Sequence, residues 1–182
     1  MKRRKIIIKF LLKFFITYFL LLGIYSFYLK QTQQKEGVFS CAPITKTVAL
    51  QTQQLAHFLG YKSKTFQHES ELSMKFYVSD VYASRIVEGC NSISIIILFL
   101  TFIIAFSGSL KATLIYGVLG SIIIYIMNII RILILSMLMY KYPEYQYFLH
   151  SLLFPAIIYG TTFLLWIVWV NKFSHLKKIK NE

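Results

Sequence analysis

The sequence contains no glycine-rich phosphate loop, no His-Glu-x-x-His and no Gly-x-Ser-x-Gly. It therefore lacks the backbone cradle for a nucleotide phosphate, the helical histidine pair of a zinc hydrolase and the strained elbow that presents a serine nucleophile. No internal repeat or low-complexity stretch is present. Cysteine is down to two residues, Cys41 and Cys90, which allow one disulfide and no disulfide framework. The histidines His57, His68, His150 and His175 combine with those cysteines in no metal-binding spacing, so no metal and no cofactor is expected. Acidic residues are few, 7 against 20 lysines and arginines, and the net charge of +13 raises the question of a nucleic-acid partner. The positions of the cations answer it. Lys2, Arg3, Arg4, Lys5, Lys9 and Lys13 crowd the start, and Lys172, Lys177, Lys178 and Lys180 crowd the finish, each group beside an apolar block. That is the positive-inside pattern of a membrane protein, drawn to anionic lipid headgroups, and no nucleic-acid partner is expected.

What the sequence has in excess is apolar side chains. Hydrophobic residues make up 57% of it, above the about 45–50% of a soluble domain, and they come in long unbroken blocks. The first runs from Ile6 to Leu29, longer than the about 20 residues needed to cross a bilayer. No Ala-x-Ala follows it, so it reads as an uncleaved anchor and not as a signal peptide. Three more blocks follow, Ile93 to Phe106, Ala112 to Met139 and Leu152 to Val170. The Ala112 to Met139 block is too long for one perpendicular span and is expected to cross by Arg131 and continue along the interface. Ser107 to Lys111 is then a tight turn.

The segment from Lys30 to Gly89 is polar and mixed in charge, and it lies outside the bilayer. Within it, Val48, Gln51, Leu55, Phe58 and Leu59 predict a helix from Thr45 to Leu59, stopped by Gly60. Met74 to Val78 and Val81 to Val87 suit two short strands. The fold class expected is all-α integral membrane, with about four transmembrane helices and a roughly 60-residue extracytoplasmic loop between the first and second. The division is an anchor over 1–30, the loop over 31–89, a three-helix core over 90–171 and a cytoplasmic basic tail over 172–182. Both termini are cytoplasmic on this count. Tyr140, Tyr142, Tyr145 and Tyr147 at one end of the last span, and Trp166 and Trp169 near the other, read as interfacial belts.

A charge inside an apolar block costs about 2.5–3.5 kcal/mol on insertion scales and is a functional candidate by default. Arg131 is such a residue, and Asn128, one turn earlier, can turn its amide toward the guanidinium. Snorkelling of Arg131 to the outer headgroups is the alternative. Cys90 falls where the loop meets the second span, in Glu88-Gly89-Cys90-Asn91-Ser92. A helix N-terminus and a nearby cation would lower its thiol pKa and activate it, and Gly89 would let a substrate backbone approach. A disulfide with Cys41 is the competing reading. His150 precedes the last block at the same outer level, either as a polar cap or as a general base. Cys90, Arg131 and His150 would together supply a nucleophile, an oxyanion stabiliser and a base.

In that order, Glu88-Gly89-Cys90-Asn91 opening one span, Asn128-x-x-Arg131-Ile132 in the next and His150 opening the last, the chain from Glu88 to Val170 resembles the exosortase/archaeosortase family, and in its small size the short F-type exosortases. The resemblance implies a membrane-embedded cysteine peptidase and transpeptidase acting on exported proteins that carry a C-terminal tripartite sorting signal: a short motif, a transmembrane helix and a basic tail. It implies catalytic roles for Cys90, Arg131 and His150, supporting roles for Asn128 and Glu88, a thioester at Cys90, and transfer to a glycan or lipid acceptor in a bacterial inner membrane. Because larger relatives have about eight spans, the resemblance also admits an accessory membrane protein as partner. A non-catalytic membrane component, with a partner-binding loop stiffened by a Cys41–Cys90 disulfide, is the other function class the residues allow.

Overall fold

Long runs of good helix formers with proline only at their ends dominate the chain, and the computed structural model is mostly helical, at 73%. It describes residues 2–35, 37–106 and 108–173, which leaves Ser107, His175 and all of the basic tail past Phe173 outside the described residues. Three helical stretches are long and apolar enough to cross a membrane: Ile7–Thr32 within α1 (Lys2–Thr32), α4 (Leu110–Lys141), and Ser151–Lys172, which includes α6 (Phe154–Lys172). The expected second span is α3 (Ile93–Ala105), of 13 residues, only about 20 Å long against the roughly 30 Å of a hydrocarbon core. It is packed among α1, α4 and α6. Gly120 lets α4 close on it, because a Cβ there would lie 2.3 Å from the Phe99 ring.

The segment between α1 and α3 folds into a small unit. It holds α2 (Pro43–Phe58) and an antiparallel sheet of β1 (Ser63–Gln67), β2 (Ser73–Val78) and β3 (Val81–Val87) in that spatial order. The two strands read from the sequence match β2 and β3, and Ser79 and Asp80 turn the hairpin with positive φ of 49° and 65°. Strand β1 adds to that expectation. Helix α2 begins at Pro43, where the missing N–H costs no hydrogen bond, and Gly60 follows its end with φ +86°. Its inner face differs from the expected one. Thr45, Val48, Ala49, Thr52 and Ala56 are buried while Phe58 and Leu59 are exposed, because small side chains let the helix lie close to the sheet.

One helix joins this unit to the spans. Helix α4 runs unbroken for 32 residues, about 48 Å, well beyond one hydrocarbon thickness. Its C-terminal turns pack against the sheet unit. Ile132 and Leu133 join Phe76, Val78 and Ile86 in one buried cluster, with Met137 packed on its edge, and Ser136 Oγ lies 2.6 Å from Ser84 Oγ on β3. The surplus length of α4 is the inner wall of the sheet unit. At the other end of the spans, Ser109 caps α4 by accepting from the Ala112 N–H, so α4 begins at Leu110, within the expected turn, whose Ser107 lies outside the described residues. Trp169 is fully buried beside Tyr116 and Gly108, and Trp166 stacks on Phe102 with ring centroids 4.3 Å apart. Both tryptophans pack within the helix bundle, while Tyr140, Tyr142, Tyr145 and Tyr147 are exposed at the far end.

Candidate functional site

The site is built where β3, α3 and α4 meet. Strand β3 runs directly into a 3-10 turn, Glu88–Asn91, that carries Cys90. Ser92 then takes a left-handed conformation with φ 63° and turns the chain into α3. Asn91 Oδ1 accepts from the Ile93 N–H at 3.1 Å, and Asn91 Nδ2 donates to Tyr25 Oη at 2.7 Å and to Thr45 Oγ1 at 3.1 Å. One asparagine thus caps α3 and ties the turn to α1 and α2. Asn128 on α4 holds the turn from the other side, its Nδ2 donating to the Cys90 carbonyl at 2.7 Å.

Arg131 lies one turn further along α4, about 32 Å from Leu110 at 1.5 Å per residue, close to one hydrocarbon thickness. It does not snorkel, being only 4% exposed. Its guanidinium carbon lies 3.6 Å from the centre of the Phe154 ring, a stacking worth about 2 kcal/mol when desolvated. Phe154 reaches that place at the end of a π-helical turn, Leu149–Leu153, in which the Phe154 N–H bonds to the Leu149 carbonyl. Such turns shift side-chain register by one residue and recur at functional sites. His150 is in this turn, and its side chain lies outside the described ones.

Two atoms here lack partners. Asn128 Oδ1 and Arg131 Nε are buried without a hydrogen bond, although Asn128 is 0% and Arg131 4% exposed. Leaving a buried polar group unsatisfied costs about 1–3 kcal/mol. The expected bond from the Asn128 amide toward the guanidinium is absent: Nδ2 donates to the Cys90 carbonyl, and Oδ1, the atom able to accept from a guanidinium, has no partner.

Cys90 is 9% exposed. Burial pushes its thiol up from the ordinary cysteine range, and a backbone hydrogen bond at Val87 and the charge of Arg131 pull it only part of the way back. The net shift is upward and not the expected lowering, and the first N–H of α3, at Ile93, is taken by Asn91 Oδ1. The cation acts on the thiol as expected, but desolvation outweighs it. Gly89 beside it is exposed, and a Cβ built there would meet nothing within 4 Å, so that side of the turn is open.

Compared with family models, curated proteins and solved structures, the chain gives no match. Its chemistry has to be read from these side chains alone.

Glu88 works elsewhere than expected. Its carboxylate accepts from the Ala42 N–H at 2.7 Å and from the Thr45 hydroxyl, so it fastens the N-terminus of α2 and does not face the thiol pocket through these bonds. The two cysteines are free thiols, not a disulfide. The Cys41 N–H donates to Gln67 Oε1 at 3.0 Å, and Gln67 Nε2 lies 3.6 Å from Cys41 Sγ. His57, near the end of α2, bonds to the Ser63 carbonyl on β1, and the Ser70 N–H donates to His68. Among the described residues no three His, Cys, Asp or Glu side chains gather as metal ligands.

Two cavities lie away from Cys90. One, of about 630 Å³, is an apolar groove that includes Lys13, Leu100, Gly117 and Ser121; the other, of about 660 Å³, is a polar cleft at the end of α2 with His57, Tyr61 and Asp80. Neither is lined by Cys90, Asn128 or Arg131, and size alone does not outweigh the convergence of a thiol, a cation and two unpaired polar atoms.

Sequence reasoning missed Phe154, which looks lipid-facing in Leu152-Leu153-Phe154-Pro155. The only signal was its position one turn after His150, on the same helix face. Gln51 was read as part of an apolar face, but its Oε1 accepts from Tyr125 Oη at 2.7 Å and latches α2 to α4.

Proposed function

We propose that the chain is a membrane-embedded cysteine peptidase and transpeptidase of the exosortase kind, acting on exported proteins with a C-terminal sorting signal. The observation that carries this reading is the convergence on the Cys90 turn of a buried arginine and a buried asparagine, both with unpaired polar atoms. A cation buried without a carboxylate partner is expensive as structure. It is useful where an anion develops during reaction.

In this proposal Cys90 loses its proton to His150 and attacks the scissile carbonyl. Arg131 stabilises the oxyanion, the C–N bond breaks as the amine leaves with the proton from His150, and a thioester remains on Cys90. An amine or hydroxyl of a glycan or lipid acceptor then resolves it. The chain crosses a bacterial inner membrane four times. Helix α3 is the short span, shielded by α1, α4 and α6; both termini are cytoplasmic, the α2 and sheet unit is periplasmic, and an accessory membrane protein completes substrate or acceptor binding. Burial of Cys90 is compatible with a thiol that is exposed or activated when substrate enters.

The non-catalytic reading, with a stiffening disulfide, gains no support from two free thiols held by different partners. The deciding experiment is proteomics of membrane and secreted fractions in cells carrying wild type, Cys90→Ala or Cys41→Ala. Exported proteins should keep uncut hydrophobic C-terminal tails in Cys90→Ala only. Unchanged C-termini in both variants would remove the peptidase reading.

A further inference from the structure

Helices α1 and α4 both pack on α3, and among the described residues they make no comparable contact with each other. A groove of about 630 Å³ is left between them, with Leu100 and Ile103 of α3 as its floor and Leu114, Val118 and Ile122 of α4 as its wall. The hydroxyls along that wall are already answered within α4. Thr113 Oγ1 donates to the Ser109 carbonyl at 3.0 Å, and Ser121 Oγ donates to the Gly117 carbonyl at 2.7 Å. The groove therefore offers its occupant apolar surface, with one exception. Lys13 of α1 is the charged residue among those lining it.

That cation marks one end. Phe10 meets Phe106, just past α3, with ring centroids 4.4 Å apart, so Lys13 lies about one turn beyond the level at which α3 gives way to α4. From Leu110 to Ile122 the groove follows α4 for twelve residue steps, about 18 Å, close to half of a roughly 30 Å hydrocarbon core. A cation at one end of an apolar channel about one leaflet deep matches a lipid with an anionic headgroup. Lys13 falls inside the apolar stretch Ile7–Thr32, where a charge is costly and a phosphate lowers that cost. An ammonium has three donors, so a phosphate oxygen can join whatever Lys13 already meets.

We infer that this groove is a binding site for one anionic phospholipid, its phosphate paired with Lys13 and one acyl chain laid against α3 and α4. Other occupants fit less well. The transmembrane helix of the proposed substrate ends in a basic tail, which would meet Lys13 with like charge, and a second copy lying parallel would bring its own N-terminal cations there. The site stands apart from Cys90 and does not rest on the peptidase reading.

The test is native mass spectrometry of the purified full chain, released from detergent with phosphatidylglycerol or phosphatidylcholine of identical acyl chains. The first bound lipid should favour phosphatidylglycerol about fivefold, the worth of one lysine near an anionic headgroup. Lys13→Gln should bring that preference to near one. Lys172→Gln removes an exposed cation from the last turn of α6, outside the groove, and should leave the preference unchanged. Ser121→Phe, which sets a ring in the groove, should weaken binding of the first phosphatidylglycerol about tenfold through lost chain contact.

Equal binding of the two lipids by the wild-type chain, a preference that survives Lys13→Gln, one that Lys172→Gln removes equally, or full lipid binding by Ser121→Phe would each overturn the inference. So would a dimer that excess phosphatidylglycerol leaves intact and Ser121→Phe dissolves, since the groove would then hold a second copy. The wild-type and lysine-variant ratios decide even if Ser121→Phe fails to fold. Failure of the peptidase reading shows separately, as unchanged C-terminal tails in Cys90→Ala cells.

Discussion

Cys41 and Cys90 are both buried free thiols, and the groups around them have been arranged differently. Around Cys41 the backbone donors meet acceptors. Gln67 takes its N–H and reaches its sulfur, Glu88 takes the next N–H and the Thr45 hydroxyl, and α2 starts from that fastened point. Around Cys90 the backbone is fastened just as firmly, by Asn128 and Asn91, yet an oxygen and a guanidinium nitrogen are left over. Burial raises both thiols, so desolvation does not distinguish them. What distinguishes them is the unpaired remainder. Near Cys41 the unmatched atom is the small Ser73 hydroxyl, whereas beside Cys90 the remainder is a cation and an amide oxygen, which are more expensive to leave unmatched.

Arg131→Lys should break the contrast most severely. An ammonium keeps the charge but loses the planar fork and its stacking on Phe154. Processing of C-terminal tails should fall about 100-fold, the scale of losing one oxyanion donor; wild-type processing in that variant would leave Arg131 without the proposed role. A smaller effect concerns pH. Because burial raises the Cys90 thiol, its thiolate forms later than the ordinary value near about 8.5. Native alkylation should therefore keep rising with pH beyond the point where the unfolded chain levels off. Arg131→Met removes a charge that favours the thiolate, so the native curve should move to still higher pH; an unmoved curve would uncouple the two residues. The smallest change tests the matched side. Glu88→Ala should lower stability by about 1–2 kcal/mol, as loss of an N-terminal helix cap does, seen as a lower melting temperature. Tail processing per folded molecule should stay near wild type, and a large loss there would return Glu88 to the thiol pocket.

Much of this was legible in the residues, for reasons that differ by element. The α2 helix was readable because its periodicity and Gly60 are local signals, but its buried face was not. Large residues such as Phe58 were taken to point inward, whereas Thr45, Val48, Ala49, Thr52 and Ala56 are the buried ones, with Leu55 packed at the edge. β2 and β3 were readable from Val, Tyr and Phe runs around a Ser79-Asp80 turn. β1, in Ser-Lys-Thr-Phe-Gln, has little apolar pattern of its own and becomes a strand by pairing with β2. Arg131 stood out because a charge in an apolar run is costly anywhere. Its alternative fate, snorkelling, was decided against only by Phe154 and the walls that bury it.

Composition and order along the chain determined that apolar helices long enough for a membrane enclose a polar segment, that the cations gather near the ends, and that Cys90, Asn128 and Arg131 open or interrupt apolar runs. These follow from side-chain transfer energies and helical spacing, which act locally. Tertiary structure alone decided that the C-terminal turns of α4 become the wall of the sheet unit, that Glu88 fastens α2, that the thiols stay apart, and that Asn128 turns to Cys90. Each of those depends on which partner lies within about 3 Å once distant segments have packed, and a hydrogen bond of that length carries no trace in the spacing of residues along the chain.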